Sequence, residues 1–275
     1  MVMVKNQSRI KSPPIPHEHG AWFMLYMPLI AVLVGMQANW VQALVLVLTV
    51  TGGYLAQHVA VLMLRGRADS GDRWWLVVYG GFLGLGSLVL LHLGSLLLLW
   101  LALPIVRLMS WHLVRSRFAR KRIDRSLHGE MLAISGLALT APAAYVVVVG
   151  ELTLLAVGIW FLFVTFFLSS VFYVKMRIEA VRIKEGIQWR DRLLLGRSIL
   201  IYHSLVGVGL VVFMSISDLG LFLLIAFAPV FVRALWGVIR LSNRLPKLVF
   251  VGLVESGYTV WFSGWVVVIL RMLVI

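Results

Sequence analysis

The sequence predicts an all-α fold: a polytopic transmembrane helical bundle of about nine spans, forming one domain over residues 17–275. Three observations carry that prediction. Apolar residues make up 61% of the chain and charged ones only 13%, whereas soluble domains carry about 25% charged residues. Mean hydropathy is +0.97. The charges gather in links between apolar runs, each near the roughly 20 residues that cross a bilayer.

Residues 1–16 carry Lys5, Arg9 and Lys11, then Pro13, Pro14 and Pro16. Proline there bars a helix, which predicts an extended cytoplasmic lead-in. Span one is expected over residues 20–36 and continues too far for a cleavable signal. Span two, 41–64, runs into a charged link from Arg65 to Arg73. Span three, 74–91, holds Gly80, Gly81, Gly84 and Gly86, a spacing that lets a second helix approach closely. Span four, 95–114, contains Pro104, where a kink is expected. A basic link, Arg115 to Arg125, precedes span five at 130–149, and Gly150-Glu151 turns the chain into span six at 152–174. The polar stretch from Lys175 to Arg197 reads as an interfacial helix. Spans seven to nine fall at 198–216, 219–239 and 248–270.

Charge placement fixes the expected orientation. With the N-terminus inside, Arg271 alone of the 25 Lys and Arg residues falls away from the cytoplasmic links and span ends. The chain is thus expected in the cell (inner) membrane, N-terminus cytoplasmic. The formal charge of +14 is a topological signal with added attraction to anionic membrane lipid, not a nucleic-acid footprint. The lack of cysteine excludes disulfides, thiolate metal sites and cysteine nucleophiles.

Ionisable side chains inside spans are costly and mark candidate sites. Here they collect at one level. His17, Glu18 and His19 open span one, and Tyr54, His58 and Arg65 share a face of span two. Arg107 and His112 lie near the end of span four, His128 and Glu130 open span five, and Tyr173, Lys175 and Arg177 close span six. His203 and Glu255 lie inside spans seven and nine. Of the seven histidines, only His92 falls at the other end. This asymmetry predicts a polar pocket opening to the cytoplasm. His58, His203 and Glu255 are its candidate catalytic residues. His17, Glu18, His19, Tyr54, Arg65, Arg67, Tyr173, Lys175 and Arg177 are candidate binding residues. Arg107, Lys175 and, more than Lys175, Arg233 could instead simply snorkel to the interface.

A metal reading is available in two places. His17 and His19, two apart, point roughly 200° apart on a helix and could share an ion only in an extended segment. Asp69 and Asp72 could hold Mg²⁺, or could form a salt-bridged turn beside Arg65, Arg67 and Arg73.

The His19-Gly20-Ala21-Trp22 start of span one, the basic link after span four and Ser170-Val171-Phe172-Tyr173-Val174-Lys175 resemble the YwiC-like family of bacterial membrane proteins. More distantly, Arg117-Phe118-Ala119-Arg120-Lys121-Arg122 through Gly129 and Gly136-Leu137-Ala138 resembles the UbiA-type intramembrane prenyltransferases. That resemblance implies a nine-helix plan and Asp-rich links that bind Mg²⁺ and a prenyl diphosphate. The chain departs from it: only Asp69 and Asp72 follow span two, and Tyr173, Lys175 and Arg177, with Glu179, stand where carboxylates are expected.

Three functions follow as expectations. One is a site for an isoprenoid or lipid-phosphate substrate, with transfer chemistry if the protein is an enzyme. Another is a proton-coupled transporter using His58, His203 and Glu255. The last is a non-catalytic membrane scaffold.

Overall fold

A computed structural model gives the structure of the protein; it describes residues 12–16, 19–118, 127–183, 186–243 and 248–274. Among the described residues there are ten α-helices: α1 (His19–Gly35), α2 (Trp40–Leu64), α3 (Ser70–His92), α4 (Leu98–Phe118), α5 (Leu127–Ala138), α6 (Thr140–Val149), α7 (Leu154–Val181), α8 (Trp189–Met214), α9 (Leu219–Ile239) and α10 (Leu248–Val274). Seven stretches are long and apolar enough to cross a membrane. Gly20–Gly35 and Leu98–Leu108 are shorter apolar segments. Each predicted span has its helix or helix pair.

Two differences have local causes. Span five divides into α5 and α6, because Pro142 has no N–H to give the carbonyl one turn earlier. Beside the break, the Thr140 hydroxyl lies 3.1 Å from Leu137 O and, across the bundle, 2.8 Å from Leu25 O, and so ties α6 to α1. The expected interfacial helix at 175–197 is also corrected. Nothing in Lys175-Met176-Arg177-Ile178-Glu179-Ala180 breaks a helix, so α7 simply continues to Val181. The chain then restarts at Trp189, where Gln188 N–H donates to Asp191 Oδ2 at 3.0 Å in a capping box.

Two contacts give relative directions: α10 runs parallel to α1, and α7 antiparallel to α5. Arg271, late in α10, donates to Val34 O, late in α1. Glu130, early in α5, pairs with Lys175, late in α7. α5–α6 is the central element, with 61% of its apolar window buried, against 11% for α3 and 17% for α8. The core around it is aromatic. Phe166 stacks on Phe262 at 4.2 Å, and Phe163, Phe167 and Phe227 meet these rings at an angle. One wing is α2 against α3, where Gly52 admits the facing helix so closely that a Cβ would lie 2.8 Å from Tyr79 O. The other wing is α8 and α9, packed on α7 and α10. Outer faces carry Leu85, Leu154, Leu205 and Leu253, all more than two-thirds exposed. Such a surface suits lipid and not water.

Candidate functional site

The polar side chains converge in the α7–α10 half. Ser169 and Ser170 lie on adjacent faces of α7, and Arg233 reaches them from α9. Its Nη1 donates to both carboxylate oxygens of Glu255 on α10. Its Nη2 donates to Ser169 Oγ at 2.6 Å. Ser170 Oγ in turn donates to Glu255 Oε2 at 2.5 Å. The rings of Tyr173 and Tyr258 lie 4.9 and 5.5 Å from the guanidinium carbon, adding cation–π attraction. The Arg233 side chain is 5% exposed and that of Glu255 18%.

His203 extends this network into α8. Its Nδ1 lies 2.8 Å from Ile199 O and its Nε2 2.9 Å from Ser169 Oγ. A carbonyl can only accept, so Nδ1 carries a proton. Ser169 already accepts from Arg233 and has its own proton to give, which matches an unprotonated Nε2 on a neutral ring. One serine therefore joins a permanent cation to a histidine held in a single tautomer. Edge contacts with Tyr202 and Phe231 hold the ring plane.

His203 has a second neighbourhood. An open groove of about 520 Å³ runs between α8 and α9, lined by His203 and Ser204 together with apolar residues including Leu200, Gly207, Val208 and Phe231. A second cavity, of about 480 Å³, lies between α4 and α5 beside Arg107, Ser110 and Trp111. Neither has Glu255, His58 or Lys175 in its lining.

The predicted site residues thus separate. Glu255 and His203 come together, and Tyr173 joins them through Arg233. Lys175 does not: two residues from Tyr173, it faces the other way and pairs with Glu130 at 3.0 Å. Arg177 is one helical turn beyond Tyr173 on α7. Tyr54 meets Trp22 edge-on at 5.0 Å, and Trp22 Nε1 donates to Pro16 O at 3.3 Å, which ties the proline-rich lead-in to α1. His58 follows Tyr54 by one turn on α2, in the wing that packs on α3, α4 and α6. Arg65 caps α2, and Arg67 follows it in the link. Asp72 Oδ2 accepts from Asp69 N–H at 2.7 Å in the capping box that starts α3. Among the described residues no group of three or more His, Asp or Glu gathers to hold a metal. His17 and Glu18 lie outside the described residues, and His19 opens α1.

Arg233 corrects the sequence reading most. It does not snorkel: it is buried, and both terminal nitrogens are engaged by Glu255, Ser169 and Ser170, while its buried Nε has no hydrogen-bond partner among the described residues. The signal was present. A carboxylate deep in a span needs a partner, and Arg233 lies at the matching depth on the preceding helix. Ser169 gave no signal of its own, being a small hydroxyl in an apolar run, and Ser170 stood out only as part of the stretch with the family resemblance.

Fold and site together define a multi-pass helical membrane protein with a buried polar cluster between its last four helices. Residues 15–145 match the family model described as YwiC-like protein. No curated protein and no solved structure matches the chain. The matched residues run from the lead-in into α6, so the cluster of α7–α10 lies beyond them.

Proposed function

We propose that this protein sits in the bacterial inner membrane, N-terminus cytoplasmic, and binds an amphipathic isoprenoid or lipid phosphate at its α7–α10 half. One observation carries the reading: His203 belongs both to the buried cluster and to the wall of the cavity between α8 and α9. With both nitrogens held inside the protein, His203 turns a ring edge to an otherwise apolar groove, and such a wall suits the apolar part of an amphipathic molecule. Any proton transfer by this ring would first require Nε2 to part from Ser169 Oγ.

Proton-coupled transport is less well supported. Arg233 stands between Glu255 and Ser169 in the hydrogen-bond chain. A guanidinium does not release its proton in proteins, so this chain is interrupted as a relay.

The test is retention of a radiolabelled polyprenyl phosphate by the full-length protein in nanodiscs. Wild type should retain it above protein-free nanodiscs, and His203→Ala should bind about tenfold more weakly. Equal retention by protein-containing and protein-free nanodiscs would remove the reading.

A further inference from the structure

The cavity between α8 and α9 has a direction. From Leu200 to Val212 it follows α8 for about 18 Å at 1.5 Å per residue. The hydrocarbon core is about 30 Å thick, so the trough covers roughly one leaflet. Along α8, Leu200, Ser204, Val208 and Val211 recur at three- and four-residue intervals and make a single stripe. Continued toward the start of the helix, the same stripe meets Arg197 and then Arg190, both exposed. At its opposite end it meets only Val211 and Val212. The trough is therefore apolar along its length, cationic beyond one end, and touched by His203 near that end.

Its width comes from Gly207. A Cβ there would lie 3.6 Å from the Phe231 ring, so a larger side chain would fill the floor between the two helices. The other wall, Phe231 and Leu235, is apolar. A chain lying here needs no polar partner until it reaches Ser204 and His203.

We propose that this trough holds the hydrocarbon chain of a lipid phosphate from the leaflet at the Arg197 end, with the phosphate at Arg197 and Arg190. This rests on the lipid-phosphate reading above and adds the binding face, the direction of the ligand and one chain as the bound unit. Charge complementarity selects the occupant: two arginines on one exposed stripe suit a phosphate, and an apolar trough one leaflet long suits a tail from that leaflet.

The experiment uses the full-length protein in zwitterionic nanodiscs and a polyprenyl phosphate bearing a diazirine at its tail end. Photolabelling should fall on α8 residues 208–212 and on the facing part of α9. Gly207→Phe and, at an exposed position, Val211→Trp should each abolish that labelling, so a folding failure in one variant leaves the other informative. Arg197→Gln should weaken binding about tenfold without moving the label. The uncharged polyprenol should be retained no better than that variant retains the phosphate. Binding that persists with the label on α2–α4, or equal retention of alcohol and phosphate, would overturn this inference and leave the wider reading standing. Loss of all lipid-phosphate retention in the wild type would remove both.

Discussion

Arg233 on α9 spans both carboxylate oxygens of Glu255 on α10 through a single guanidinium nitrogen, while its other terminal nitrogen holds Ser169 on α7. Three helices are thereby joined at one side chain. A buried pair of this kind costs desolvation of both charges, and removing one partner leaves the other uncompensated. Glu255→Ala should therefore destabilise the bundle by about 3–5 kcal/mol. The double change Arg233→Met with Glu255→Leu, which removes both charges and keeps volume, should recover most of that loss. Reversible unfolding in mixed micelles measures both. A double variant no more stable than Glu255→Ala would show that the pair does more than compensate itself.

The two serines should differ although they are neighbours. Ser169 both accepts from Arg233 and donates to His203, and it is 1% exposed. Ser169→Ala leaves two buried groups short of a partner, so a cost of about 1–2 kcal/mol is expected. Ser170→Ala removes a donor to a carboxylate that keeps Arg233, and should cost about 0.6 kcal/mol or less. Equal costs would mean that Ser169 does not link the cation to the imidazole.

What the sequence made legible follows from where the physics is local. Span existence depends on twenty-odd residues in a row, and each predicted span has its helix or helix pair. The break at Pro142 was visible as a proline, but its position in the bundle was not. Depth along a span could also be read, which is why Glu255 and His203 stood out. Azimuth could not: Tyr173 and Lys175 have nearly the same depth and face different helices. Assigning Lys175 and Tyr173 to one pocket assumed a shared face, and the 100° turn per residue separates them. His58 was grouped with Glu255 by depth alone, and α2 belongs to the opposite wing.

Close packing of α2 on α3 gives a contrast between adjacent glycines. A Cβ at Gly52 would sit 2.8 Å from both Tyr79 O and Leu83 N, atoms of a backbone that can yield only if the helices separate. At Gly53 the nearest atom is Leu83 Cδ1 at 3.3 Å, the tip of a side chain that can turn aside. Gly52→Ala should cost about 1–3 kcal/mol through overpacking. Gly53→Ala should be neutral or gain up to about 1 kcal/mol from helix propensity. Thermal unfolding of the purified variants distinguishes them, and a tolerated Gly52→Ala would mean that the two helices lie further apart.

The orientation can be measured directly because the chain has no cysteine to obscure a single introduced thiol. Lys and Arg concentrate in alternate links, and basic links stay on the cytoplasmic side of the membrane during insertion. If successive spans alternate in direction, as α5 and α7 do, one labelled link fixes all the others. Leu96→Cys, Glu151→Cys and Ile216→Cys, at exposed positions in the poorly charged turns, should react with a membrane-impermeant maleimide in spheroplasts. Arg67→Cys and Gly186→Cys should react only after the membrane is opened. The reverse pattern would put Arg197 and Arg190 on the outer face, and the lipid phosphate would have to come from the outer leaflet. A mixed pattern within either set would break the alternation itself, and with it the placing of Glu255, Arg233 and His203 at one depth.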